Sequence, residues 1–405
     1  MIPMLEKHGL AFGADTNAST DLGYTTYELD LPKATPEAIE TALFLLRETA
    51  SELTLSPSAI ERERGIIQAE RRVRGTREQQ RYINRIQYLL GDSNLYERLP
   101  IGTESSINKI NRDSLKAFYE RYYRPEHTTL VVSGAIHQHQ MMKKVQEHFA
   151  SWQPKSSGQA IVDPTITYSL PKKTEAYANI DPKNRYIVIG LNFISPRDKA
   201  PYGKKQHLEY LNEIIALRAF NHRLKKAVGR NDADGKLRYP GASLEGQSGV
   251  VRIRNLSVIT DEGGWQHGLQ TLNHTLKQAT TFGFSEREIQ RQIESYERAL
   301  ENEEEQRFST HNTTLSNRVV NALDSGEPLV SERTVRQLFA EMKSQLTVES
   351  VNRAFQTHWS DSAARLYLDD RSAPSNINKQ MLDAYQAMQK EKVEPYKEQE
   401  RQAFD

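Results

Sequence analysis

Apolar residues fall at helical spacing over most of the chain and alternate with polar residues over a few short stretches. Thr35-Pro36 opens a helix whose core face carries Ile39, Leu43 and Leu46, and Ile83, Ile86, Leu89 and Leu90 repeat that spacing over 77–90. The pattern predicts further helices near 113–123 (Leu115, Phe118, Tyr119, Tyr122), at Met141, Met142, Val145 and Phe149, and over 204–228 with a stop at Gly229. Ser285-Glu-Arg-Glu288 reads as a capping box opening a helix with Ile289, Ile293, Tyr296 and Leu300 on one face. Helices are also expected near 265–280, 309–323, 331–345 and 348–359, with a charged loop at 230–238 and a helical tail from about 375. Thr25, Tyr27, Leu29 and Leu31 alternate as a half-buried strand requires; 128–134, 165–170, 185–193, 250–258 and 364–368 also read as strands.

The order of these elements repeats. Ser114-Leu-Lys-Ala-Phe-Tyr119 matches Ser350-Val-Asn-Arg-Ala-Phe355, and the strand at 128 matches that at 364, both at one offset (350 − 114 = 236; 364 − 128 = 236). Earlier, Ser56–Ile60 matches Ser285–Ile289 (285 − 56 = 229). With a Pro-, Ser-, Gly- and Lys-rich linker at about 153–164, this predicts two similar domains, 1–155 and 165–395. The fold class is α+β: each domain is an antiparallel sheet with helices packed on one face. Position 1 corresponds to roughly position 230 of the second copy, so the first domain is expected to lack its opening strands and long helix, as a fragment or a shortened homologue.

Composition narrows the function. Lys plus Arg (54) nearly equals Asp plus Glu (53), so no global field draws the 405 residues to nucleic acid, and no basic stripe with interleaved aromatics suggests it. The absence of cysteine excludes disulfides and thiolate metal sites. No apolar run is long enough to span a membrane, and the opening residues do not read as a signal peptide.

Candidate chemistry centres on the helix that starts at Ser56, an N-cap, with Pro57 in the first turn. It carries Glu63 and Glu70 two turns apart on one face with Ile67 between them, which lets one or both carboxylates point at an apolar interior. Gly65 costs about 1 kcal/mol relative to Ala unless something packs closely there. The plain alternative is a solvated face, since Arg62, Arg64, Arg71 and Arg74 supply charge partners. Glu63 and Glu70 fall opposite Gln292 and Ala299, however, so only the first copy holds the carboxylate pair, which a purely structural demand of the repeat does not explain.

Asn17-Ala-Ser-Thr20, Glu63-x6-Glu70, Pro100-Ile-Gly-Thr-Glu104, Phe118-Tyr-x-x-Tyr-Tyr and Gly283-Phe-Ser-Glu together resemble the pitrilysin/insulinase-type zinc metallopeptidases over about 10–390. The resemblance is to the N-terminal half of the large members, in which four such domains close around a peptide. It implies Glu70 as the third zinc ligand and Glu63 as the residue orienting the site. It also implies that Asn17, Ala18, Ser19 and Thr20 form an edge strand against which peptide substrate lies. The family's other ligands and general-base Glu belong to an H-x-x-E-H motif. None of the eleven histidines begins one, so the motif is expected upstream of Met1 and no catalytic residue is assigned in this chain. His137 and His139 are too closely spaced for a helical ligand pair and read as surface residues.

The implied function is a fragment of a zinc-dependent endopeptidase that cleaves peptides with a metal-activated water, inactive as this chain alone. The alternative is a naturally non-catalytic member acting as scaffold or peptide-binding subunit. Zinc is expected in the intact protein, not held tightly here. Expected partners are peptide substrates and the C-terminal half or a homologous subunit, with self-association or disorder near residues 1–20. The resemblance suggests the bacterial periplasm.

Overall fold

The computed structural model describes residues 16–74, 77–91, 93–155, 166–197, 202–231, 235–247, 251–359 and 363–398. They gather into two compact units. Unit 1 takes in Met1–Gln80, Asn94–Ile166 and Thr310–Leu329; unit 2 takes in Arg81–Ser93, Thr167–Ser309 and Val330–Asp405.

Unit 1 begins with an antiparallel pair, β1 (Thr16–Thr20) and β2 (Thr25–Leu29). Helix α1 (Pro36–Ser51) follows, opened by the Thr35 hydroxyl, which accepts the Ala38 N–H at 3.2 Å. It buries Ala38, Ala42, Leu43 and Leu45, and Leu29 and Leu31 pack on Leu45. Then come α2 (Pro57–Arg74), the short α4 (Glu104–Lys109), α5 (Arg112–Tyr122) and α6 (Gln138–Phe149); α3 (Arg77–Leu90) follows α2 in the chain, and from Arg81 on it belongs to unit 2. The Tyr119 hydroxyl donates to Thr49 O at 2.7 Å and so fixes α5 to the end of α1. Glu40 accepts bonds from Lys144 and His148, tying α1 to α6.

Unit 2 is built on a five-stranded sheet from β3 (Glu175–Ile180), β4 (Ile187–Pro196), β5 (Arg238–Gln247), β6 (Val251–Thr260) and β7 (Arg365–Asp370). The order is β3-β7-β4-β6-β5, antiparallel except for β3 with β7. Its helices are α7 (Lys204–Asn231), α8 (Trp265–Phe282), α9 (Glu286–Gln306), α11 (Glu332–Met342), α12 (Val348–Trp359) and α13 (Ile377–Lys390). The remaining helix, α10 (Asn312–Ser325), lies in unit 1. Alternation puts Ile189, Leu191, Leu256, Val258, Leu366 and Leu368 on one sheet face, where they join Leu211, Ile215 and Phe220 of α7, Leu272 of α8 and Phe355 of α12 in one core. Each such buried side chain contributes about 1.5–3 kcal/mol. The opposite face is polar, carrying Asn179, Asn192, Glu245 and Asp369.

The α+β architecture is as expected, with the helices of the second copy on the apolar sheet face; α3 meets the other face through Asn84 and Arg85, and the capping box at Ser285/Glu288 is present. Several local expectations are corrected. Residues 128–134 form no strand. Their counterpart β7 is held between β3 and β4, and unit 1 offers no equivalents of those two strands among its described residues. Residues 166–170 join no ladder either. Gly229 does not stop α7, which runs to Asn231. Of the loop expected at 230–238, residues 230 and 231 end α7, 232–234 lie outside the described residues and Arg238 begins β5, a sheet edge, where Pro240 is tolerated and the register shifts between Arg238 and Gly241. No described helix is long and apolar enough to cross a membrane.

Candidate functional site

Two elements of unit 1 carry the candidate residues. Helix α2 starts where the sequence places it: Ser56 O accepts the Ile60 N–H at 3.0 Å, and the Ser56 hydroxyl takes the Ala59 N–H at 3.4 Å. Its residues divide into two faces. Arg64 donates to the carbonyls of Ile107 and Ile110, the Gln68 amide reaches Asn108 Oδ1 at 2.6 Å, and Arg71 meets Glu104 at 3.1 Å. The spacing i, i+4, i+7 makes this one stripe, and it clamps α2 to α4.

The other face holds Glu63, Ile66, Ile67 and Glu70, and it is open. Ile66 is 53% and Ile67 38% exposed. Glu63 is exposed and bonded to Arg62 Nε at 3.1 Å, while Glu70 is half-buried. The expectation that these carboxylates point at an apolar interior is therefore corrected: Ile67 contributes to a bare surface. Of the expected charge partners, Arg64 and Arg71 bond Glu61, Glu104 and the Ile107 and Ile110 carbonyls, and Arg62 meets Glu63. No close neighbour accounts for Gly65, since a Cβ there would meet nothing within 4 Å.

The internal repeat gives this bare face a reference. In unit 2, α9 occupies the position of α2, and its matching face is covered by α7. Arg218 of α7 donates to Ser295 Oγ at 3.0 Å and stacks its guanidinium over Tyr296, and Gln292 beside them is buried. At the offset of 229, Gln292, Ser295, Tyr296 and Ala299 correspond to Glu63, Ile66, Ile67 and Glu70 (292 − 63, 295 − 66, 296 − 67 and 299 − 70). Sequence reasoning missed Ile66 and the contrast between the two faces; the signal was the pair of adjacent isoleucines in an otherwise charged helix.

The second element is β1. Its residues Asn17, Ala18, Ser19 and Thr20 are exposed, and among the described residues β1 pairs only with β2, so its other edge is open to a further strand. Asn17 Oδ1 accepts the Ala18 N–H at 2.9 Å. His137 and His139 lie exposed at the start of α6, as expected of surface residues. Among the described residues no three His, Cys, Asp or Glu side chains gather where they could hold a metal ion. Zinc in a catalytic site takes three protein ligands and leaves one position open. The donor set here, Glu70 with Glu63 one turn pair away, does not fit a complete zinc centre.

Comparison with known proteins finds two family models, the insulinase (peptidase family M16) model over residues 1–89 and the peptidase M16 inactive domain over 109–296. The probable zinc protease PqqL of Escherichia coli K12 is 22% identical over 364 residues, which are 88% of this chain and 38% of that protein. A crystal structure of the first half of the periplasmic protease PqqL from Escherichia coli superposes with a TM-score of 0.88 at 20% identity, over 98% of this chain and 84% of that one. The crystal structure of PqqL itself gives 0.89, over all of this chain and 44% of that one. The chain thus spans about two fifths of the curated relative it matches (38%).

Proposed function

This chain belongs to the insulinase (M16) peptidase family, and we propose that it is the substrate-gripping, ligand-lending part of a zinc-dependent endopeptidase, inactive on its own. In this reading Glu70 is one zinc ligand, Glu63 orients it, and Asn17, Ala18, Ser19 and Thr20 offer an edge to a peptide backbone. The remaining ligands and the general base come from a helix outside these 405 residues, and its seat is the face of Glu63, Ile66, Ile67 and Glu70. The observation that carries the proposal is the repeat: the equivalent face of α9 is covered by the 28-residue helix α7. The donors present among the described residues do not by themselves make a zinc site.

The proposed partners are peptide substrates and a C-terminal half or homologous subunit. By analogy with the periplasmic relative, the proposed compartment is the bacterial periplasm. A second reading, a non-catalytic scaffold or peptide-binding subunit, draws support from the match of residues 109–296 to the peptidase M16 inactive domain. Zinc content after dialysis, with hydrolysis of a quenched fluorescent peptide, tests the first reading. Sub-stoichiometric metal and no turnover are expected; equimolar, tightly held zinc with turnover would overturn it. The in-frame sequence upstream of Met1 separates the two readings, an H-x-x-E-H supporting the first and a true start codon the second.

A further inference from the structure

Unit 2 holds a length of its own chain as it would hold a foreign peptide. Beyond α13, residues Lys392 to Glu398 form neither helix nor strand, yet side chains of three helices grip them. Lys277 of α8 donates to Gln389 O and Glu391 O, each at 2.5 Å, and Gln278 donates to Glu394 O at 2.7 Å. Val393, Tyr396 and Glu398 are half-buried, while Lys392, Glu394, Pro395 and Lys397 are exposed. Backbone acceptors held by side-chain donors, with every second or third side chain turned inward, are the marks of a bound linear peptide.

Two of the inward side chains have built seats. The Tyr396 ring lies 4.5 Å from the guanidinium centre of Arg223 on α7, and Phe284 lies 4.7 Å from it. Arg223 is buried and bonded to Glu288 at 3.0 and 2.7 Å, so it presents a fixed guanidinium face to an aromatic ring. Two residues on, Glu398 meets three cations: a terminal nitrogen of Arg291 at 2.6 Å, Lys226 Nζ at 3.4 Å and Arg287 Nε at 3.9 Å. The other arm of Arg291 is held by His222 Nε2 at 3.2 Å, which aims it. Three cations around one carboxylate leave positive charge over and favour an anionic occupant. The seats belong to the second copy, since at the offset of 229 Arg287 and Glu288 correspond to Ser58 and Ala59 (287 − 58; 288 − 59).

We infer that this surface of α7, α8 and α9 is a recognition site for extended peptides with an aromatic residue two positions before a carboxylate, and that residues 391–398 are its intramolecular ligand. The site lies wholly in unit 2 and involves no metal, so it is independent of the peptidase reading. Tethering makes the chain's own tail the favoured occupant, because a short link gives an effective concentration on the order of millimolar. A free peptide of the same pattern reaches the site once the tail lets go.

Peptide binding to the full chain tests the inference. Tyr396→Ala with Glu398→Ala empties both seats and leaves every residue that forms them in place. A fluorescein-labelled peptide with the sequence of residues 391–398 is expected to bind this variant saturably, and to bind the unsubstituted chain about tenfold or more weakly, because the tail competes. Adding Arg291→Glu should weaken that peptide by about tenfold or more and restore binding of the peptide carrying Glu398→Arg. No saturable binding to the tail-released variant, equal binding to both chains, or indifference to Arg291→Glu would overturn the inference. A second measurement does not depend on the tail-released variant. Arg291→Glu alone should speed trypsin cleavage after Lys392 and Lys397 by about tenfold, and an unchanged rate overturns the inference as well.

Discussion

The ion pair between Arg223 of α7 and Glu288 of α9 is the brace by which unit 2 keeps its carboxylate-free face closed, and its removal has a calculable cost. Arg223 is 1% and Glu288 5% exposed. The guanidinium meets the carboxylate twice, Nε to Oε1 at 3.0 Å and a terminal nitrogen to Oε2 at 2.7 Å, and donates again to Gly283 O at 3.0 Å. Phe284 and Tyr396 lie 4.7 and 4.5 Å from its centre. Breaking a buried pair from one side costs about 3–5 kcal/mol, because the surviving charge stays desolvated. Glu288 also takes the Ser285 N–H at 2.9 Å, so truncation removes part of the helix cap, about 1 kcal/mol more. Glu288→Ala is thus expected to destabilise unit 2 by about 4–6 kcal/mol. Arg223→Met combined with Glu288→Leu removes both charges and should recover all but about 2 kcal/mol of that loss, the remainder being the lost cap and ring contacts. Urea unfolding followed by tryptophan fluorescence reads it, since Trp265 and Trp359 lie in the core of unit 2. A loss below about 1.5 kcal/mol for the single variant, or a double variant no better than the single, refutes the argument.

Two further outcomes follow from the same unit. Gly283 ends α8 at φ +70°, and an added Cβ would lie 2.7 Å from the Asn352 amide that holds Phe284 N and O; Gly283→Ala should cost about 2 kcal/mol or more, and a melting temperature unchanged from the parent would contradict this. Burial raises the Asp369 carboxyl above its ordinary range, against the opposing pull of Asn179 and Arg81. From about pH 4 up to that raised value the folded chain keeps a proton the unfolded chain has released, so this group's contribution is present at low pH and lost as pH rises. Asp369→Asn should remove that part of the slope, and urea titrations across pH 4 to about 7 with an unaltered slope would show the sign to be wrong.

Where local chemistry decides an element, the sequence was legible. Helices α5 and α12 begin at Arg112 and Val348, and α2 and α9 at Pro57 and Glu286, which are the offsets of 236 and 229 read from the repeat (348 − 112; 286 − 57). Strands were harder, because a ladder needs a neighbour that no local pattern supplies. Residues 128–134 carry the β-favouring run Thr-Thr-Leu-Val-Val and still form no strand, whereas β5, with Pro240 in it, forms one at a sheet edge. On α3 the apolar spacing marks Ile83, Ile86, Leu89 and Leu90 and is silent on Arg81, Asn84, Arg85 and Tyr88, yet these four bond Asn184, Asn179, Asn192 and Glu175 of unit 2. At the candidate site, the spacing of Glu63 and Glu70 was legible and the disposition of their neighbours was not, since Arg64 and Arg71 turn away to α4.

The difference between the two copies of this face is electrostatic before it is anything else. On α9 the four positions read Gln292, Ser295, Tyr296 and Ala299, all neutral, and an ordinary helix closes over them with a guanidinium stacked on the tyrosine. On α2 the same positions read Glu63, Ile66, Ile67 and Glu70. Two isoleucines favour a cover; two carboxylates oppose any cover that leaves them desolvated and unpaired, at a cost of several kcal/mol per ion. Glu63 already has Arg62 Nε at 3.1 Å, so a cover over Ile66 and Ile67 either leaves that pair in water or supplies a positive charge in its place. A helix of wholly apolar pattern lying over all four positions does neither, which is why the chemistry of a covering segment, rather than its length, separates the two readings proposed for this chain.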